Sequence, residues 1–121
     1  MKNKSERDVI LFVEDIIESI ERIELIVSQT NESAFLDSWQ QQDILARRIE
    51  IIGEATKNIP DELRKMFPEI PFKDMAGMRE VIVHYYFGLS YEIMWNVATT
   101  KLPPLKDPLL QVIAYLETKA I

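Results

Sequence analysis

ERDVILFVEDIIESIERIELIVS, residues 6–28, decides the fold class because it can be read two ways. Its wealth of Ile and Val favours strands, but its spacing does not. Ile10, Val13, Ile16, Ile17, Ile20, Ile23 and the Ile26/Val27 pair recur at intervals of three and four. On a helix those positions make one apolar stripe, with Glu14, Asp15, Glu18, Glu21 and Glu24 turned toward solvent. The stretch is also longer than an ordinary strand. Ser5, with an acid at Asp8, supplies an N-cap signal close to a capping box. The segment predicts a long amphipathic helix over Glu6–Ser28.

Working outward, Gln29-Thr30-Asn31 breaks the pattern and residues 32–36 suit a short helical turn. Ser38 caps a second long helix over about residues 39–58, with Ile44, Leu45, Ile49, Ile51/Ile52 and Ala55 inward. Gly53 inside it costs about 1 kcal/mol relative to Ala, which predicts close approach by another helix. Pro60 ends this helix and opens a short one to about residue 67, and Pro68 and Pro71 punctuate the next connection. Residues 71–77 lead into an apolar segment, 78–88, closed by Gly88-Leu89. Ser90 caps a helix over 91–100, Pro103-Pro104 forms an elbow, and Asp107-Pro108 reads as a cap with proline at the first helical position. The last helix runs to about Lys119. With no strand pattern and no internal repeat, the expectation is an all-α single domain over residues 1–121: an antiparallel helical bundle of two long helices plus several shorter ones.

Composition narrows the function classes. The 121 residues are 47% hydrophobic and 28% charged, and contain no Cys, so disulfide frameworks and thiolate metal sites are excluded. No apolar run reaches the roughly 18 residues of a membrane span, and the first residues lack a leader's apolar core, so the chain reads as cytoplasmic, with no membrane partner. Net charge is −6, unevenly spread: residues 1–60 hold 7 Lys/Arg against 12 Asp/Glu, residues 61–121 hold 7 against 8. A protein that coats nucleic acid is normally basic, so any nucleic acid engaged here must be held locally or by more than one chain.

The only histidine, His84, sits in MREVIVHYYFGLS, residues 78–90, five residues after Arg79. On a regular helix Tyr86 lies about 20° from Arg79, but His84 lies about 140° away. The remaining directions are filled by Val81, Ile82, Val83, Tyr85 and Phe87. A helix apolar all round is buried by its neighbours or by a second subunit. Two readings are open. In one, His84 is a hydrogen-bonded core residue and Arg79 pairs with a carboxylate such as Glu80 or Glu54. In the other, the imidazole moves protons near neutral pH and Arg79 holds a phosphate or an oxyanion. The two side chains converge only if Arg79 lies in a distorted first turn after Gly77 or if a dimer brings a second copy. Asp43, Glu50 and Glu54 could hold a hard cation, but a solvated or ion-paired face explains them more simply. Trp39, Trp95 and the tyrosines 85, 86 and 91 could stack on bases, although packing at helix ends accounts for both tryptophans equally well.

Arg79-x4-His84-x-Tyr86, together with IEIIGEATKNIP (residues 49–60), AGMREVIVHYYFG (76–88) and LPPL (102–105) in the same order, resembles the HepT-like toxins. These form a branch of the HEPN superfamily of α-helical ribonucleases, and the resemblance covers almost the whole chain. It implies a HEPN-like helical domain that forms a homodimer, with the Arg-His motifs of two subunits lining one cleft. It implies a metal-independent endoribonuclease toxin, without a cofactor, acting on an RNA substrate. Arg79 and His84 would be the catalytic pair, with Glu80 and Tyr85 as auxiliary candidates. Its partner would be a minimal nucleotidyltransferase (MntA-type) antitoxin that silences it by AMPylation of Tyr86. The chain departs from the family where many members carry Asn or Asp directly after the arginine and this chain has Glu80. The alternative implied is a catalytically weak HEPN-fold interaction module that binds the nucleotidyltransferase.

Overall fold

The computed structural model describes residues 5–84 and 90–119, without the side chains of residues 81–84. Among these residues there is no strand, and the fold is all-α. Helix α1 spans Glu6–Ser28 as its periodicity requires, and the Ser5 hydroxyl accepts from Asp8 N–H at 3.2 Å. Val9, Val13, Ile16, Ile20 and Ile23 form its buried stripe, and Ile10 is only partly covered. Burying each such aliphatic side chain contributes about 1.5–3 kcal/mol.

Helix α2, Glu32–Leu36, is capped by Asn31, whose side-chain oxygen accepts from Ala34 N–H at 2.9 Å. Buried Gln42 ties its far end down by donating to the carbonyls of Phe35 and Leu36, each at 3.1 Å. Helix α3 spans Trp39–Thr56, with Ser38 as the expected cap. Leu45, Ile49, Ile52 and Ala55 are buried as expected, but Ile44 is 47% exposed. It lies about 100° around the helix from the buried Leu45, off the inward stripe.

Helix α4 spans Asp61–Met66 and α5 spans Phe72–His84. The start of α5 corrects the expectation of a lead-in over 71–77. Phe72 and Met75 are both buried, and their packing carries the helix straight through Gly77. Helix α6, Tyr91–Asn96, has Ser90 as its cap, accepting from Ile93 N–H at 3.3 Å. It continues as a π-helical turn, Val97–Lys101, closed by Leu102 N–H to Val97 C=O at 3.0 Å. The widened turn precedes Pro103, whose ring would collide with a carbonyl in a continuous α-helix. A short 3-10 turn, Pro103–Leu105, leads directly into α7, Lys106–Lys119. Asp107 therefore stands in the first turn of α7 and not at its cap. Pro108 is in the same turn, where a missing N–H costs nothing.

The long helices pack in the order α7, α1, α3, α5: α1 lies between α3 and α7, and α3 carries α5 on its other side. Phe35 closes one end of the core, with Tyr91 edge-on at 6.3 Å and Trp95 at 5.3 Å between ring centroids. Trp95 and Tyr91 are thus packing residues, whereas Trp39 is 66% exposed and not buried at its helix end. Among the described residues, α5 meets the bundle chiefly through α3 and occupies its outer edge.

Candidate functional site

The close approach of α5 to α3 is made at Gly53. A Cβ placed there would stand 2.8 Å from the Arg79 backbone nitrogen, 3.0 Å from Arg79 Cβ and 3.3 Å from the Met75 carbonyl oxygen. Only a residue without a side chain lets the two backbones meet at this separation. The glycine thereby brings the neighbouring polar positions of α3 against Arg79 and Glu80.

Glu54 in the last turn of α3 and Lys57, the C-cap that follows it in αR conformation, are three residues apart and lie on the same side. Glu54 Oε1 receives an ion pair from Arg79 Nε. Lys57 Nζ lies 2.7 Å from Glu80 Oε1, and that same oxygen is 3.9 Å from the terminal nitrogen Nη1 of Arg79. Two cations and two anions thus alternate across the α3–α5 seam, each side chain 39–50% exposed. With water this accessible, each pair adds little to stability, about 0–1 kcal/mol. What the network fixes is geometry: the guanidinium is held at Nε.

Of the residues singled out in the sequence, Arg79, Glu80 and Glu54 come together. Both carboxylates considered for Arg79 adjoin it. His84 is the last residue of α5, five positions beyond Arg79 on an uninterrupted helix. That places the two positions about 7.5 Å apart along the axis and about 140° apart around it. The distorted first turn after Gly77 that would have brought them together on one chain is not present. The His84 side chain, Tyr85 and Tyr86 lie outside the described residues, as do the burial of residues 81–88 and the Gly88-Leu89 terminator.

Glu50 is engaged by Arg47 at 2.5 Å and Glu54 by Arg79. No group of three or more His, Cys, Asp or Glu able to hold a metal ion is found among the described residues, so the cation reading of Asp43, Glu50 and Glu54 has no assembled donor set. No described helix is long and apolar enough to cross a membrane. Lys57 was missed in the sequence. The signal for it was its place one turn after Gly53, on the face where a second helix had to come close.

The model of the family described as ribonuclease HepT-like matches residues 16–112, a span that holds α3, α5 and the Arg79–His84 spacing. Among curated relatives, a protein of Methanocaldococcus jannaschii named "gamma-glutamylcyclotransferase and putative RNase" is 40% identical over 111 residues. The match covers 92% of this chain but only 50% of the relative, so the chain spans about half that protein's length. A second protein of that organism, named "putative RNase", is 34% identical over 93% of each chain. A "probable ribonuclease HepT" of Thermococcus cleftensis is 40% identical over 95 residues, 78% of this chain and 86% of the relative. No solved structure gives a significant match.

Proposed function

The chain belongs to the ribonuclease HepT-like family, and from that premise we propose that it is a metal-independent endoribonuclease toxin whose site is completed by a second copy of itself. The observation that carries the proposal is the Arg79 guanidinium, held at Nε by Glu54 on the outermost helix of the bundle. His84 stands five residues further along that helix. A guanidinium fixed at one edge retains terminal nitrogens that match the paired oxygens of a phosphate. Because α5 is continuous, one chain turns positions 79 and 84 in different directions, and a homodimer supplies the second Arg-His pair.

RNA brings its own nucleophile. An imidazole removes the 2′-OH proton, the 2′-oxygen bonds to phosphorus, and the bond from phosphorus to the 5′-oxygen breaks. A second imidazole, in its protonated form, gives that oxygen a proton, leaving a 2′,3′-cyclic phosphate and a 5′-OH. Arg79 stabilises the charge that builds on the non-bridging oxygens. AMP transferred to Tyr86 by a minimal nucleotidyltransferase antitoxin would place a bulky anion near this pair and oppose RNA entry by charge and by volume.

The test is cleavage of single-stranded and structured RNA in EDTA. Wild type cuts and His84→Ala does not, and a 2′-deoxy substitution at the cleaved position blocks the reaction. Equal behaviour of wild type and His84→Ala removes the assignment. On co-expression with the nucleotidyltransferase, intact mass rises in AMP-sized steps that Tyr86→Phe abolishes.

One observation favours the second reading, a catalytically weak module that binds the nucleotidyltransferase: both Glu54 and Glu80 stand beside Arg79, within a chain of net charge −6. Stable complex formation, without toxicity on expression and without RNA cleavage, would select it.

A further inference from the structure

Glu80 stands between two cations. Its Oε1 is 2.7 Å from Lys57 Nζ, within hydrogen-bond reach, and 3.9 Å from Arg79 Nη1, beyond it. A small rotation of the glutamate side chain would close the second distance. The carboxylate would then cover the terminal nitrogens of Arg79, the edge that a phosphate requires once Glu54 has taken Nε. The Lys57 ammonium competes for this oxygen. It reaches Glu80 from the C-cap of α3, three residues beyond Glu54, so the end of one helix anchors the arginine and draws off the acid beside it.

We propose that Lys57 is a positioning residue of the candidate site: by holding the Glu80 carboxylate it keeps the terminal edge of Arg79 open to a backbone phosphate of RNA. The inference rests on the ribonuclease reading for its ligand, but it predicts a coupling between two side chains that neither catalysis nor simple charge addition would produce. If Lys57 served only as one more positive charge for RNA, its loss would weaken binding whatever stood at position 80. If it acts through Glu80, its loss matters only while that carboxylate is there.

The experiment is a double-mutant cycle on the full chain with Lys57→Met, Glu80→Gln and the two combined, at constant ionic strength. Binding of a 2′-O-methyl RNA oligonucleotide, which carries the phosphates but cannot attack them, is followed by fluorescence anisotropy. Cleavage of its unmodified counterpart is followed in EDTA. In the wild-type background Lys57→Met weakens binding about fivefold and raises KM in parallel with little change in kcat. In the Glu80→Gln background the same substitution changes binding less than twofold. Lys57→Arg restores most of the affinity that Lys57→Met loses. Unfolding midpoints confirm that each variant is folded, as expected for an ion pair this exposed. Equal losses in both backgrounds overturn the proposal and make Lys57 a direct phosphate contact, with the ribonuclease reading untouched. Absence of oligonucleotide binding by wild type overturns it too. Coupling in the binding assay from a wild type that cuts no RNA supports the role of Lys57 and removes the ribonuclease reading instead.

Discussion

Gly53 on α3 and Arg79 on α5 touch backbone to backbone, and the contact leaves no room for a methyl group. A Cβ at Gly53 would approach the Arg79 nitrogen to 2.8 Å and the Met75 carbonyl oxygen to 3.3 Å. The nearest of these atoms belongs to the main chain of a helix, so relief requires α5 to move. Gly53→Ala gains about 1 kcal/mol of helix propensity but incurs overpacking of about 1–3 kcal/mol. The expected result is a net loss of up to about 2 kcal/mol in urea unfolding, together with weaker RNA cleavage, because Arg79 moves with its helix. Stability equal to or above wild type would show that the seam can open freely.

Gly77 gives the opposite prediction from the same helix. It is two residues before Arg79, and a Cβ built there meets nothing within 4 Å. Since α5 runs unbroken from Phe72, this glycine only weakens the helix. Gly77→Ala should stabilise the chain by about 0.5–1 kcal/mol. A loss on the same unfolding assay would mean that the space beside Gly77 is filled in solution, for instance by a second copy.

The elements legible in the sequence are those that local rules dictate. Ser5, Ser38 and Ser90 each accept from a backbone N–H three residues on, as short-range capping chemistry dictates. The stripe of α1 and the close approach at Gly53 follow from period and side-chain size. The start of α5 was hidden because Pro71 and Gly77 look like loop punctuation, while the burial of Phe72 and Met75 against the rest of the bundle outweighs both. The charges behave the same way. Arg79 has two carboxylate candidates, and only the approach of α3 to α5 brings Glu54 onto its Nε and Lys57 onto Glu80.

The end of α3 rests on a contact that no local pattern announces. Arg64 on α4 donates from Nη2 to the Thr56 carbonyl at 2.8 Å and from Nε to the Ile59 carbonyl at 3.0 Å. It thereby adds a second, charged donor to the Thr56 carbonyl, which also accepts from Ile59 N–H at 3.0 Å. Arg64→Met keeps much of the aliphatic stem and removes both bonds. A loss of about 1–3 kcal/mol by chemical denaturation is expected, with the α3–α5 ion-pair network unchanged.

Lys106 offers a pH dependence with a definite sign. Its ammonium lies 2.6 Å from Glu24 Oε1, joining the start of α7 to α1. That hydrogen bond, with the charges of Glu24, Glu21 and Asp107, raises the lysine above its ordinary 10.5 against the opposing effect of partial desolvation. A raised folded-state value means that the contribution is complete below about pH 10.5 and fades as pH climbs through the folded value. Lys106→Met should therefore lower Tm relative to wild type at pH 9, and the gap should narrow above pH 10.5. A gap constant to pH 12 would assign the effect to packing of the lysine stem.

Arg79 itself separates charge from shape. Its Nε serves Glu54, and on the proposed ribonuclease reading its terminal nitrogens are the ones that meet a phosphate. A lysine at this position has one ammonium for both tasks and cannot present two parallel donors. Arg79→Lys should lower kcat/KM for RNA cleavage by about 10²-fold, the scale of losing a donor aimed at developing charge. Glu54→Gln keeps an acceptor oxygen for Nε and should lose less, about fivefold. Neither change should move stability by more than about 1 kcal/mol, because the pair is half exposed. Cleavage rates and urea midpoints measured on the same samples decide the matter. If Arg79→Lys cuts RNA within threefold of wild type, the fork is not the feature that holds the phosphate, and a point charge suffices.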